Sequence, residues 1–272
     1  MLFRSTYFEA FCIACVEGLT EFLPVSSTAH MIFTGSFFGI QNDDFVKLYQ
    51  LSIQFGAILA VVVLYRSYFL KSLHFYLNLA IGVLPALVLG VLFDDAIDAV
   101  MESPVPIAIA LILGGVVFLF IDRLLKSHSD DTRASVTFLQ SFKIGLWQCL
   151  ALMPGTSRAA ACLIGGMQQG CSRKQAAEFS FFLAVPTLLA VSVYSLFLKT
   201  WQHHGAATKG FYLLMNSQQN AMLFLLGNLV AFGIALLAVK GFIRLLSKFG
   251  LSLWGWYRIA VGLFMLIYFH YV

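Results

Sequence analysis

Charge is scarce in this sequence. Of its 272 residues only 11% are Asp, Glu, Lys or Arg, while 60% are hydrophobic, 27 are phenylalanine and the mean hydropathy is +0.86. That balance excludes a soluble globular domain and describes a polytopic membrane protein. Linkers and low-complexity tracts are also missing, so residues 1–272 read as one integral membrane domain. A cleavable signal peptide is not expected, because the first residues carry only Arg4 and meet Glu9 before any long apolar run. Cysteines number five, and Cys12, Cys15, Cys149 and Cys162 lie in apolar surroundings that suit packing thiols. Cys12 and Cys15 form a C-x-x-C, but no βαβ pattern surrounds it and no second pair follows at zinc spacing, so no redox or metal role is expected there. The net charge of +4 says little about soluble partners, since in membrane proteins the placement of Lys and Arg outweighs their sum. No nucleic-acid partner is expected.

What is present is apolar length. Six stretches are able to cross a bilayer: about 51–65, 79–93, 105–122, 178–198, 221–239 and 252–272. Two others, 8–40 and 138–169, are apolar but broken in the middle. Pro24 with Ser26, Ser27 and Thr28 interrupts the first, and Pro154-Gly155-Thr156-Ser157 the second. Proline removes an amide donor and disfavours helix in the residue before it, so each stretch reads as two short helices meeting at a turn. Each half is too short to span, which describes a re-entrant hairpin. The expected fold is therefore all-α and polytopic, with six crossings and two re-entrant hairpins, about ten helices in all.

Basic residues set an orientation. Arg66, Lys71, Arg123, Lys126, Arg133, Arg173, Lys174, Lys240, Arg244 and Lys248 fall in alternate connections, while the others hold only Lys47, Lys199 and Lys209. Asp94, Asp95, Asp98 and Glu102 lie in one of these poorer connections, at 94–104, with no base. By the positive-inside rule the first set is cytoplasmic. The chain then reads as hairpin plus three crossings, twice, with the halves upside down: repeat one about 1–122, repeat two about 138–272. Weak echoes agree: Gly18-Leu19-Thr20-Glu21 with Gly145-Leu146-Trp147-Gln148, Pro24-Val25-Ser26-Ser27 with Pro154-Gly155-Thr156-Ser157, and Leu59-Ala60-Val61 with Leu183-Ala184-Val185. In inverted-repeat architectures broken helices meet at a site near the membrane midplane, so the two tips are expected to face each other.

The tips carry the chemistry. Glu17 and Glu21, four apart, share a helix face. Ser26 or Ser27 falls where an N-cap hydroxyl starts the next half-helix, and His30 lies about a turn further on. On the other tip Gly155, Thr156 and Ser157 open a half-helix with Arg158 in its first turn. Two helix N-termini with free amides, plus a guanidinium fork, make a space suited to phosphate. Glu17, Glu21 and Arg158 held charged at membrane depth cost roughly 2.5 to 3.5 kcal/mol each, together about 9, which rivals the roughly 5 to 15 kcal/mol of a whole fold. Such a cost favours function over packing. A serine activated by His30 or a glutamate can attack a terminal phosphorus while Arg158 and the half-helix amides hold the developing charge. Equally, His30 is the nucleophile and Ser27 only binds, and the spacing does not decide between them. Paired glutamates beside a diphosphate also point to a divalent cation, Mg2+ or Ca2+ by ligand hardness. Ser26, Thr28, Gly155, Thr156 and Ser157 complete the expected substrate-binding set.

Blander readings stand beside these. Glu17 and Arg158 can be a structural ion pair, although a buried pair stabilises poorly. The tip hydroxyls can be helix caps, and His30 a satisfied core histidine. His74, His128, His203, His204 and His270 lie in or near loops or chain ends and receive no role. Gly35-x-x-x-Gly39 and Gly166-x-x-x-Gly170 are explained by close helix packing. Homodimerisation through those faces is left open.

The stretch EGLTEFLPVSSTAH from Glu17 to His30, the tip Pro154-Gly155-Thr156-Ser157-Arg158 and the run Glu178 to Pro186 resemble, in order and approximate spacing, the undecaprenyl-diphosphatase family associated with bacitracin resistance. The resemblance runs nearly end to end. It implies a multi-pass phosphatase of the bacterial inner membrane that converts undecaprenyl diphosphate to the monophosphate on the periplasmic side, recycling the lipid carrier for peptidoglycan synthesis. By motif, Glu17 and Glu21 match the family's acidic pair, Ser27 and His30 its catalytic serine and histidine, and Arg158 its phosphate-binding arginine. Magnesium or calcium dependence is implied too. Three positions depart from the pattern: Ala159 and Cys162 stand where the family carries a serine and a threonine, and Ala29 where it carries glycine. If each lost hydroxyl bonded a charged phosphate, the loss would be about 1.5 to 3 kcal/mol per bond. The partners expected are a polyprenyl diphosphate and the membrane lipids. The rival reading is a transporter or lipid flippase, which shares the inverted-repeat architecture and needs an anion site but no nucleophile. A structural scaffold would leave the intramembrane charges unexplained.

Overall fold

The computed structural model describes residues 7–70, 73–125, 136–203 and 206–271. Among them thirteen α-helices carry the fold. The first broken stretch folds as α1 (Tyr7–Thr20) and α2 (Ser27–Phe37). Next come α3 (Asp44–Leu64), the single turn α4 (Arg66–Phe69), α5 (Leu73–Leu92), the short α6 (Asp94–Met101) and α7 (Pro104–Leu124). The second broken stretch is α8 (Phe138–Gln148), a 3-10 turn at Cys149–Leu152, and α9 (Arg158–Gln168). The chain ends with α10 (Arg173–Val193) and its π-helical continuation Tyr194–Leu198, the antiparallel hairpin β1 (Thr200–His203) and β2 (Ala206–Lys209), α11 (Gly210–Met215), α12 (Gln218–Phe249) and α13 (Ser252–Tyr271).

The protein is an all-α polytopic membrane protein. Six helices are long and apolar enough to cross: Asp44–Leu64, Leu73–Leu92, Pro104–Ile121, Arg173–Leu198, Gln218–Phe249 and Ser252–Tyr271. They correspond one for one to the expected crossings. Helices α1, α2, α8 and α9, of 14, 11, 11 and 11 residues, are each shorter than the roughly 20 residues a span requires. Large side chains such as Leu84, Leu113, Leu229 and Leu237 stay exposed, as a lipid-facing surface demands.

The short connecting elements were not legible beforehand. Helices α4, α6 and α11 raise the count above ten, and the β-hairpin lies where a plain loop was expected. In α6 the first-turn Asp94 and Asp95 sit at the positive end of the helix dipole, so a stretch read only as an acidic connection is helical. That connection also finds its bases. Lys199 Nζ lies 2.5 Å from Asp98 and 3.5 Å from Asp94, and Lys47 Nζ 3.1 Å from Glu102. Connections expected on one side of the membrane thus meet. Lys71, Lys126, Arg133 and His128 fall outside the described residues, as does His204.

Packing between the halves is crosswise. Hairpin helix α1 packs on α12 of the other half and α8 packs on α5, while α3 also packs on α12 and α10 on α5. A glycine makes each hairpin contact: Gly18 lies against the Ala231 carbonyl and Gly145 against that of Gly82, closer than any β-carbon allows. Phe22 just beyond α1, Phe181 on α10 and Phe242 on α12 join edge to face in the largest core cluster, with centroids 5.5 and 6.0 Å apart.

Candidate active site

Both tips use one backbone device. Ser26 caps α2 and Ser157 caps α9, each accepting from the amide three residues on, Ala29 N at 3.4 Å and Ala160 N at 3.2 Å. Among the described residues these two serines alone, of the non-glycines, have positive φ, 70° and 76°. Such backbone costs about 1 to 3 kcal/mol per residue, and here it turns the chain sharply so that two helix N-termini open inward. Each tip helix then ends alike. Gly39 and Gly170 adopt φ of 68° and 85°, and the following amides, Ile40 N and Cys171 N, reach back to Gly35 O at 2.9 Å and Gly166 O at 3.0 Å. The Gly-x-x-x-Gly spacing is therefore first a helix stop. Close packing holds for Gly166, which faces Ala176.

The equivalence corrects the sequence echo by one residue. Ser26 matches Ser157, so Ser27 matches Arg158, and both open their half-helices. Eight residues separate Gly18 from Ser26 and twelve separate Gly145 from Ser157, and the four-residue 3-10 turn Cys149–Leu152 takes up the difference.

Across the tips a polar chain forms. Ser27 Oγ donates to Glu21 Oε2 at 2.5 Å, and Glu21 Oε1 accepts from Arg158 Nη2 at 2.8 Å. Arg158 Nη1 donates to the carbonyl of Ser180 at 2.8 Å and lies 3.3 Å from its hydroxyl. Arg158 Nε, buried, has no hydrogen-bond partner among the described residues. This chain stands at one end of a cavity of about 560 Å3 lined also by Ser26, Thr28, Gly155 and Ser157. The remaining wall is mostly apolar, built by α5 and α10 through Ala86, Leu87, Val91, Leu188 and Val191, and it extends to Asp94, Asp98 and Lys199. Such a space is able to take an anionic headgroup against its polar residues and an apolar chain along its apolar wall. A hydroxyl already bonded to a carboxylate can lose its proton as it attacks an electrophile.

Glu17 is wholly buried against Glu21, and among the described residues no donor reaches either of its oxygens. Two adjacent carboxylates, one with both oxygens unsatisfied, are a hard-oxygen donor set that fits Mg2+ or Ca2+. Gln54 on α3, lining the cavity, adds a buried carbonyl oxygen without a donor. Among the described residues no group of three or more His, Cys, Asp and Glu side chains clusters at metal-binding distance.

His30 turns another way. Its Nδ1 sits 2.8 Å from the Ser26 carbonyl and its Nε2 2.8 Å from the Tyr257 hydroxyl, with the rings stacked 5.7 Å apart. It does not line the cavity, and neither does Thr156. Ala159 and Cys162 are buried away from the cavity wall, so the two departing positions do not face the space where a phosphate would sit.

One residue escaped the sequence reading. Arg258, in the middle of α13, is 0% exposed. Its Nη1 donates to Pro24 O and Thr156 O at 3.0 Å each, its Nη2 to Gly155 O at 3.0 Å and Ala110 O at 3.4 Å, and its Nε to Leu111 O at 3.2 Å. All five donors of the fork are used on carbonyls of both tips and of α7, which clamps the tips together from behind. The signal was available: a lone arginine inside an apolar crossing marks function by default.

Comparison with known proteins gives the same answer along the whole chain. It is 47% identical to an undecaprenyl-diphosphatase of Flavobacterium psychrophilum over 261 residues, 96% of this chain and 95% of that protein. It is 42% identical to one from Porphyromonas gingivalis, covering 94% of each, and 40% identical to one from Bdellovibrio bacteriovorus, covering 96% and 95%. Residues 10–264 match the family described as bacitracin resistance protein BacA, and the chain belongs to that family.

Proposed function

We propose that the chain is a membrane phosphatase that hydrolyses undecaprenyl diphosphate to undecaprenyl phosphate and inorganic phosphate, returning the lipid carrier to peptidoglycan synthesis. The observation that carries this is the Ser27–Glu21–Arg158 chain at the head of an apolar-walled cavity. The names of its relatives support the same substrate.

In this mechanism the headgroup lies between the tips and the lipid tail follows the α5 and α10 wall into the bilayer. Arg158 and the first amides of α2 and α9 bind the terminal phosphate. Ser27 Oγ attacks the terminal phosphorus as Glu21 takes its proton; the anhydride P–O bond breaks and undecaprenyl phosphate leaves. Water then attacks the phosphoserine, the Ser27 O–P bond breaks, and phosphate departs with the proton balance restored through Glu21. His30, bonded on both ring nitrogens, holds the first tip. Glu17 and Glu21 would hold a divalent cation, which supplies charge neutralisation for the diphosphate.

The halves form an inverted repeat, residues about 1–122 and 138–272. Crosswise packing and the matched tips support that reading. The site faces the periplasmic side of the inner membrane, a placement supported by the acidic connection at the cavity's far end and by the Lys and Arg bias of the opposite connections. Purified protein is expected to release inorganic phosphate from a polyprenyl diphosphate, to stop when a chelator is added and to resume with magnesium or calcium. Headgroup translocation without phosphate release would instead support the transporter reading.

A further inference from the structure

We infer that Gln148 is a further phosphate-binding residue: its side-chain amide nitrogen donates to an oxygen of the diphosphate headgroup. This rests on the proposed reading of the site as a diphosphate cavity and names a contact within it.

Gln148 ends α8 and is 2% exposed. Oε1 accepts from Cys162 Sγ at 3.5 Å, and Thr187 Oγ1, whose own proton goes to the Leu183 carbonyl at 2.8 Å, lies 3.3 Å from it. Nε2 is buried and has no hydrogen-bond partner among the described residues, while the residue lines the same cavity as Arg158 and Gly155. A glutamine retained only for packing would satisfy both ends, because an unpaired buried donor is unfavourable. Arg158 Nε, in the same cavity, is also unpaired. Among the described residues the unpaired cavity-lining oxygen, Gln54 Oε1 on α3, is an acceptor. Donors left open on the second half of the chain suit phosphate oxygens, and the acceptor left open on the first does not.

The identity of the residue matters as much as its place. Counted from Gly145, Gln148 stands where Glu21 stands counted from Gly18, and both glycines seat their helices against the opposite half. A second carboxylate at 148 would compete for Arg158 and repel a diphosphate. The neutral amide keeps the arginine's charge available and adds an N–H. Cys162 also gains a role: it braces the acceptor end of Gln148 and orients the donor end.

The test uses the full chain in detergent, with inorganic diphosphate as probe and affinity read by thermal-shift titration or calorimetry. Gln148→Met removes the donor at nearly constant shape, and Gln148→Glu, isosteric with the native residue, carries the test if the methionine variant does not fold. Either variant is expected to weaken diphosphate binding about tenfold or more, the scale of a hydrogen bond to a charged group. With lipid substrate the methionine variant is expected to raise KM while retaining more of kcat, a split that a purely structural role would not produce. Unchanged diphosphate affinity in a folded Gln148 variant overturns the assignment. Phosphate release by the native chain is measured alongside: its absence strikes the phosphatase reading, while the affinity comparison still decides this one.

Discussion

The two tips share a frame and differ in chemistry. Each turns on a positive-φ serine that caps the next half-helix, and each half-helix stops at a left-handed glycine. At the first helical position the first tip has Ser27 and the second Arg158. Before the turn, the first has Glu21 and the second Gln148. A matched backbone thus supplies two inward helix N-termini, and in the proposed mechanism the difference at two positions gives one side the proton acceptor and nucleophile and the other the anion-binding group. Complementary halves give a dipolar site that identical halves could not.

That comparison can be broken at several strengths. Arg258 is bonded to both tips, so Arg258→Met should hit both at once. Leaving the carbonyls of Pro24, Gly155 and Thr156 without a donor should cost about 3 kcal/mol or more in stability, read as a lowered unfolding temperature, with loss of phosphate release even in folded protein. Full activity in that variant would mean the tips hold their geometry without the clamp.

A smaller effect sharpens the equivalence of the caps. Ser26→Ala and Ser157→Ala should each destabilise by about 1 kcal/mol, and glycine at either position by only a few tenths, since glycine accepts the left-handed backbone. Matched thermal shifts support the shared frame; a several-fold disparity breaks it. The smallest effect belongs to Ala159→Ser. Because Ala159 does not line the cavity, turnover should change by less than about twofold, a barrier change of under about 0.4 kcal/mol, and a large gain would return that hydroxyl to the phosphate.

Much of the architecture was legible because the bilayer imposes it. Six apolar lengths gave six crossings, and Pro24 and Pro154 broke the chain where the turns lie. The meeting of the tips that carry Glu21, Ser27 and Arg158 was legible from the opposite entry of the two broken stretches. Contacts set by distant packing were not. Nothing near His30 in sequence shows that Tyr257 faces it, and nothing near Gln148 shows that one end of its amide stays open. The one-residue shift of the tips depends on which serine takes positive φ, which Pro-Val-Ser-Ser does not specify. The connecting helices α4, α6 and α11 are too short for periodicity to register.

The central claim is that two tips make one site. The measurement is a cycle of phosphate-release rates for the native chain, Ser27→Ala, Arg158→Ala and the double variant, each checked for folding. Each single variant should lose about 100-fold or more, and residues acting on one phosphorus should be non-additive, so the double variant should be little slower than the worse single. Losses that multiply would show that Ser27 and Arg158 serve separate sites and would contradict the shared chamber.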